Sequence, residues 1–201
     1  MSAPRLALVC CSVDDDGLCV LMRDAGSQLS FPQSALATSG AVEPLADVLA
    51  KSSCGRRPAW RAQAGGLLAP AVTLVVAAVV PSGTPAAEGY RWIRAARVPA
   101  AAGAALRLAL GVLRDRLDQD PVAFRLLPAA FALSDLQRVY ELLLERRIHK
   151  ASFRRALLAA HLVEPTDEWR SEGRGRPAQL FRYHPRRRRP GQRPVRFELL
   201  H

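Results

Sequence analysis

Lysine is nearly missing from this sequence of 201 residues. Lys51 and Lys150 are the only two, so that almost all of the positive charge is carried by arginine. The arginine guanidinium is a planar fork of donors that matches two acceptors at once, as on phosphate or guanine. Codon bias in a GC-rich genome explains arginine in place of lysine equally well, and the abundant alanine agrees with it. The scarcity of lysine therefore does not by itself identify a partner.

Cysteine is also scarce, and its spacing does not fit the usual cysteine sites. The four cysteines form no C-x-x-C pair, and no histidine is near them in sequence. Cys10 and Cys11 are adjacent in a strand-like run, where successive side chains point to opposite faces. We therefore expect Cys10, Cys11, Cys19 and Cys54 to be buried or free thiols in a reducing cytosol, with no metal site.

The sequence has neither the pattern of a secretory signal nor that of a membrane span. Its N-terminus lacks a cationic stretch followed by a long apolar core. The apolar stretch at residues 67–80 contains Pro70 and is shorter than the about 20 residues that a bilayer requires. We expect a cytoplasmic protein without a membrane partner.

The net charge of +11 is concentrated in the C-terminal part of the chain. Residues 122–201 carry 17 Lys and Arg against 8 Asp and Glu, whereas residues 1–121 carry 12 against 10. Codon bias does not explain this asymmetry. A basic segment beside a nearly neutral one predicts a polyanionic partner for the C-terminal part only.

The first 118 residues have the alternating strand and helix patterns of a mixed α/β domain. Two apolar runs, at 6–13 and 18–22, flank an Asp-Gly turn that is typical of a β-hairpin. A valine-rich run ending before a Pro-Ser-Gly turn predicts a buried strand. The further predicted elements are a helix at 42–50, strands at 72–80 and 90–93, and a helix at 101–117.

The pattern of apolar and turn residues over 122–184 predicts two helices followed by a hairpin. Ser134 is a good N-cap for the first helix, and Gln137 three residues later completes a capping box. The second helix has His149 or Ser152 as its cap and an apolar stripe that begins at Phe153. A strand that starts at residue 162, a basic Gly-Arg tip at 172–177 and a strand at 179–183 follow. This order predicts a winged helix-turn-helix, after which residues 185–201 form a solvated basic tail with arginines at 186–189.

Basic side chains lie where such a domain contacts double-stranded DNA. The start of a recognition helix faces base edges in the major groove, and arginine suits guanine there. Glycines let the hairpin tip bend, while its arginines suit a narrow minor groove. Exposed helix faces are often charged for solubility alone, and a Gly-Arg tip can simply be disordered. The residues assigned to DNA binding are Lys150, Ser152, Arg154, Arg155, Arg174 and Arg176.

The stretch 124–183 closely resembles the C-terminal domain of Nudix-related transcriptional regulators. The matching parts are LSDLQRVYE, KASFRRALL and GRGRPAQLFRY, and the match runs over about sixty residues without obvious gaps. The resemblance implies a dimeric repressor of NAD metabolism with a Nudix-like N-terminal domain. It also implies an effector such as ADP-ribose, whose binding residues it leaves unknown, and no other cofactor.

The N-terminal domain resembles a degenerate Nudix domain, of α/β/α architecture, more weakly. The YRWI segment at 90–93 and the long helix after Pro99 are similar to the end of that domain, and Phe31-Pro32 replaces part of its Leu-Pro-Gly-Gly turn. Nudix hydrolysis needs clustered carboxylates that hold a divalent metal. With Gly55 aligned to the terminal glycine of the Nudix box, the acidic pairs are replaced by Val48-Leu49 and Ser52-Ser53. Only Asp47 is acidic nearby, and we expect no catalytic residue and no metal.

These observations predict a transcriptional regulator, a homodimeric repressor in the cytoplasm at the nucleoid, rather than an enzyme. The N-terminal domain at 1–118 would hold the dimer interface and sense a nucleotide, and the domain at 122–184 would bind DNA. Two alternatives stay open at this point. One is a Nudix pyrophosphohydrolase with unusual metal ligands, and the other is a basic protein that binds nucleic acid without sequence preference.

Overall fold

The computed structural model describes residues 3–26, 28–36, 41–171 and 177–184. The chain divides into two compact units, Met1–Asp115 and Arg116–His201. No helix within the described residues has both the length and the apolar character needed to cross a membrane.

The N-terminal unit is built on a sheet of seven strands. The central pair, β1 and β6, is parallel, and all other neighbouring strands are antiparallel. The main path runs β3-β2-β1-β6-β5, while β4 pairs with β1 and β7 pairs with β2. The strands are β1 (Arg5–Asp14), β2 (Gly17–Asp24), β3 (Leu29–Ser30), β4 (Gln33–Ala35), β5 (Trp60–Leu67), β6 (Thr73–Val79) and β7 (Tyr90–Arg94).

Two helices, α1 (Val42–Cys54) and α2 (Gly103–Arg116), accompany this sheet. Helix α1 packs on one face, where its small buried residues Ala46 and Ala50 let it approach Leu6 and Leu8 of β1. Helix α2 packs closely on β5 at Gly65. A Cβ at this position would lie only 3.4 Å from the Leu108 side chain of α2. Gly65 has a φ of 137°, so a larger residue there would be strained as well as crowded.

The described residues of the C-terminal unit form three helices and a small sheet. Helix α3 (Val122–Arg125) is a single turn, and α4 (Leu133–Leu144) and α5 (Lys150–Ala159) follow. The sheet has the order β8-β10-β9, with all pairs antiparallel. Its strands are β8 (Ala130–Ala132), β9 (Val163–Arg170) and β10 (Ala178–Tyr183).

The cap predicted for α4 is wrong. The helix begins at Leu133, and its N-cap is Ala132, whose extended backbone also ends β8. The side chain that caps the helix belongs to Asp135, whose Oδ2 accepts the Ala132 N–H at 3.0 Å. The chain enters the helix directly from a strand, so pairing in the sheet fixes the start one residue before Ser134.

Candidate nucleic-acid interface

Helices α4 and α5 pack through the apolar stripes that their spacing predicts. Leu136, Val139, Tyr140 and Leu143 of α4 are buried, as are Phe153 and Leu157 of α5. The rings of Tyr140 and Phe153 meet edge to face, with centroids 5.4 Å apart. Burial of Phe153 turns the opposite side of α5 toward solvent, and that side carries the basic residues.

The turn between the two helices is held by Glu141. Its carboxylate accepts the Ile148 N–H at 2.9 Å, the Gln137 amide at 3.1 Å and the Arg147 guanidinium at 3.3 Å. Burial alone would raise the pKa of Glu141, but these donors outweigh it and hold the pKa below its ordinary value. Gln137, expected in a capping box, thus contributes to the turn, and it also donates to the Ile148 carbonyl at 3.0 Å.

The start of α5 is capped by His149, one of the two residues predicted for this role. The imidazole Nδ1 accepts the Ser152 N–H at 3.4 Å and lies 3.1 Å from the Ser152 hydroxyl. Ser152 is half-buried. Its side chain is therefore occupied by the cap in this structure, and a contact from Ser152 to DNA stays a prediction.

The wing strands are attached to α4 by an ion pair. Arg170, the last residue of β9, contacts Asp135 Oδ1 through its terminal nitrogen at 2.8 Å. Within the wing, the Thr166 hydroxyl donates to the Leu180 carbonyl at 3.0 Å and the Gln179 amide to the Thr166 carbonyl at 3.4 Å. The ion pair thus holds the end of β9 that leads into the tip of the wing next to the start of α4.

Three of the predicted DNA-binding residues, Lys150, Arg154 and Arg155, are exposed on α5. None of them forms an ion pair with another residue in the described part of the chain. Their charges are thus available to a polyanion. The two wing arginines Arg174 and Arg176, and the basic tail at 185–201, lie outside the described residues, so their roles stay predictions.

Lys150 and Arg154 share a groove with the wing, which we call the wing groove. It has a volume of about 570 Å³ and runs between the starts of α4 and α5 on one side and the wing strands on the other. Arg155 is not among its lining residues. The groove is lined by Ala132, Leu133, Ser134, Gln137, Lys150, Arg154, Trp169, Pro177, Ala178, Gln179 and Phe181.

Sequence reasoning missed Trp169 and Gln179 as members of this site. They face each other across the wing as a cross-strand pair, and Trp169 is 55% exposed. An exposed tryptophan in a predicted strand close to an arginine-rich tip was the available signal. Its position opposite Lys150 could not be read from the sequence, because it depends on how the wing docks on the helices.

In the N-terminal unit, α1 carries the positions aligned with the Nudix box. Val48 is exposed and Leu49 is buried, while the hydroxyls of Ser52 and Ser53 donate to the Leu49 carbonyl at 3.0 and 2.6 Å. Gly55 ends the helix with a φ of 73° and donates its N–H to the Lys51 carbonyl. The side chains of Leu49, Ser52 and Ser53 are therefore used within the helix or in the core.

The one acidic residue near the aligned positions, Asp47, is paired with a cation of the same unit. Its Oδ1 lies 3.1 Å from the Arg61 guanidinium, which also contacts Glu43 at 3.7 Å. Among the described residues, no group of three His, Cys, Asp or Glu side chains is arranged to hold a metal ion.

Comparison with known families identifies the C-terminal domain. Residues 123–183 match the model of the NrtR DNA-binding winged helix domain. The matched residues form a domain that is similar to the NrtR winged helix. The match confirms the predicted winged helix-turn-helix and the resemblance on which it rested. It includes α4, α5, both wing strands and all of the residues that line the wing groove.

Among curated proteins, this chain is similar to the ADPR responsive transcriptional repressor NtrR of Acinetobacter baylyi. It is 35% identical over 78 residues, which are 39% of this chain. This aligned part spans about a third of the relative, 31% of its length.

Solved structures with the same fold include Shewanella oneidensis NrtR in complex with a 27mer DNA. It has a TM-score of 0.75 and 22% identity, and the match covers 90% of this chain and 93% of the other. A MutT/nudix family protein from Enterococcus faecalis has a TM-score of 0.67 and 13% identity, and the match covers 92% of this chain and 88% of the other. The predicted fold class, a Nudix-like α/β domain followed by a winged helix, is confirmed.

Proposed function

We propose that this protein is a sequence-specific DNA-binding transcriptional repressor that acts as a homodimer at the nucleoid. The observation that carries the proposal is the wing groove, where Lys150 and Arg154 stand beside the wing without an ion-pair partner among the described residues. This groove lies in a domain that matches DNA-binding winged helices. The solved NrtR from Shewanella oneidensis, which shares the fold, was crystallised with DNA.

The basic residues of the predicted site contribute in different ways to this proposal. Arg155 points most directly away from the buried stripe of α5 and reads a base in the major groove, where a bidentate arginine selects guanine. Arg154 reaches either a base or a phosphate, and Lys150 neutralises a phosphate. Arg174 and Arg176 approach the minor groove from the tip of the wing.

The N-terminal unit is proposed to hold the dimer interface and to sense a nucleotide related to ADP-ribose. The support is the fold, which is that of Nudix proteins, together with the name of the Acinetobacter baylyi relative as an ADPR responsive repressor. Titration of ADP-ribose into the full-length protein should release heat and weaken DNA binding. Light scattering should give twice the chain mass of 21.9 kDa.

We further propose that the N-terminal unit does not hydrolyse nucleoside diphosphate derivatives with the help of a metal. The pairing of Asp47 with Arg61 supports this, because a guanidinium next to the carboxylate repels a divalent cation. Purified protein with Mg²⁺ or Mn²⁺ and ADP-ribose should show no turnover above a blank without protein. Turnover that is lost in Asp47→Asn would contradict this part of the proposal.

The decisive experiment is to map the DNA fragments that the protein binds across its genome and to test them by gel shift. A repressor should retain a small set of fragments against an excess of random DNA at fixed salt. A dimer further predicts an inverted repeat whose half-sites are centred one helical turn, or a multiple of it, apart. Equal affinity for all fragments would contradict the proposal.

A further inference from the structure

Trp169 is exposed to an unusual degree for a residue of its size. Among the large apolar side chains that are exposed in the described parts of the chain, it is the only aromatic one, with 55% of its surface accessible. The other two tryptophans, Trp60 and Trp92, are half-buried. A single exposed apolar residue needs no explanation by itself. The surroundings of Trp169 are what give its exposure meaning.

Trp169 lines the wing groove together with Lys150 and Arg154. The indole thus stands on the wing side of a groove whose helix side carries two cations. A polyanion held by these cations would lie against the ring. The indole offers an apolar face and one N–H donor, a combination that fits the sugar and the phosphate of a nucleic-acid backbone.

The strand that carries Trp169 is held on both sides of this residue. Arg170 ties the end of β9 to Asp135 of α4, at 2.8 Å. Gln179, its cross-strand neighbour, donates its amide to the Thr166 carbonyl at 3.4 Å. The backbone of Trp169 is therefore positioned before any ligand arrives, which lowers the entropic cost of using its side chain in binding.

We propose that Trp169 contacts the DNA backbone, packing its ring on a deoxyribose and donating its indole N–H to a phosphate next to those that Lys150 and Arg154 neutralise. This inference rests on the proposed function. Backbone contact is favoured over base stacking because opening a step in a duplex costs a few kcal/mol. Trp169 then increases affinity and holds the wing in register without reading sequence.

The test uses the full-length protein and a labelled short duplex of random sequence, alongside one fragment recovered by genomic mapping. Trp169→Ala removes both the ring and the donor, and should weaken binding to both duplexes about tenfold. Trp169→Phe keeps a ring but loses the N–H, and its loss should be smaller. Urea unfolding of each variant checks that the winged helix stays folded. If Trp169→Ala does not fold, the binding test is made with Trp169→Phe.

Intrinsic fluorescence gives a second readout that a purely structural role would not change. Addition of the random duplex should alter the tryptophan emission of the wild-type protein. The change should vanish in Trp169→Phe and persist in the matched control Trp60→Phe, which removes a fluorophore from the other unit.

Three results would overturn the inference. The first is binding of the random duplex by Trp169→Ala at wild-type affinity, and the second is an emission change that persists in Trp169→Phe. The third is selective loss of the mapped fragment, which would make Trp169 a base-reading residue. If the wild-type protein binds neither duplex, the proposed function itself fails, and with it this inference.

Discussion

Helix α1 of the N-terminal unit and helix α5 of the C-terminal unit differ in how their charged side chains are paired. On α1 of the N-terminal unit, Asp47 is neutralised by Arg61, and Ser52 and Ser53 donate to the carbonyl of their own helix. On α5 of the C-terminal unit, Lys150, Arg154 and Arg155 are exposed, and none forms an ion pair within the described residues. The first surface pairs its carboxylates with a guanidinium of the same unit, and the second leaves its charges to a partner.

This difference shows why a fold alone does not assign an activity. The N-terminal unit keeps the fold of Nudix proteins, but the side chains at the aligned positions do not offer a cluster of carboxylates. The C-terminal unit combines its fold with a groove of matching charge. Substitutions in one unit at a time test this difference.

The largest effect is expected for Phe153→Ala in the C-terminal unit. Phe153 is fully buried against Tyr140, and loss of such a side chain costs about 3–5 kcal/mol. Hydrogen exchange read by mass spectrometry should show lower protection in α4 and α5 and unchanged protection in β1 and β2. The control Leu158→Ala, on an exposed site of the same helix, should change stability by less than about 0.5 kcal/mol. Loss of protection in both units would mean that they unfold together.

Two substitutions on α5 should have different effects on DNA binding, one on sequence specificity and the other on overall affinity. A bidentate arginine–guanine contact is worth about 1–3 kcal/mol of discrimination, so Arg155→Ala should lower the preference for the operator over random DNA. Lys150→Ala should weaken both about equally and make the salt slope shallower by about one unit. Competition gel shifts over a range of salt measure both quantities.

The matched control for this pair is Arg107→Ala, which removes an exposed arginine from α2 of the other unit and should change neither quantity. An unchanged operator preference in Arg155→Ala would show that this position does not read a base. The groove-lining Arg154 would then be the next residue to test.

A smaller effect is expected for Glu141→Gln, at the turn between α4 and α5. Glutamine can still accept the Ile148 N–H but loses the charge that faces Arg147, so the free energy of unfolding should fall by about 1 kcal/mol. The folded pKa of Glu141 is lowered, and its contribution is therefore present above the unfolded pKa of about 4.3. The difference between wild type and variant should disappear as the pH falls below that value.

Urea unfolding at several pH values measures this difference. Glu168→Gln, which changes an exposed glutamate on β9, is the control and should follow the wild-type curve. A difference that persists in acid would mean that the amide, and not the lost charge, destabilises the turn.

The smallest effect is expected for Asp14→Asn in the N-terminal unit. Burial raises the pKa of Asp14, but hydrogen bonds from Arg94, Cys19 and the Asp16 N–H outweigh it and lower the pKa to about 2. The stabilisation is present above the unfolded pKa of about 3.9 and is lost as the pH falls toward 2. The carboxylate is half exposed, so solvent screening keeps the effect small.

The measurement is the urea midpoint between about pH 6 and about pH 3. The wild-type midpoint should fall with acid more than that of Asp14→Asn, and Asp115→Asn should behave as wild type. Equal curves for all three proteins would show that the contact between Asp14 and Arg94 adds nothing measurable.

Several elements could be predicted from sequence because their signals are local. The Asp-Gly turn predicted the hairpin of β1 and β2, and helical spacing from Phe153 predicted α5. Strand β5 was missed, because two alanines and two adjacent glycines make its alternation of apolar and polar residues weak. This segment is a strand because it pairs with β6. Local sequence patterns do not reveal such a pairing.

In the candidate site, too, some features could be predicted from the sequence and others could not. Arg154 and Arg155 were found because the phase of a helix follows from its sequence and places them away from the buried stripe, and Lys150 was found because it lies at the entry of the helix. The cap of α4 was assigned to Ser134 because a serine before an apolar stripe satisfies the usual rule. The true start depends on β8, a strand of only three residues that was not predicted.

Taken alone, the sequence determined where the charge lies, which faces of α4 and α5 are buried, and that a winged helix follows a mixed α/β domain. Tertiary structure decided that Glu141 holds the turn, that Arg170 ties the wing to Asp135, and that Trp169 stands in the same groove as Lys150. The physical reason is the range of the interactions. Hydrophobic periodicity and turn chemistry act over a few residues, whereas these contacts form only after separate elements have packed together.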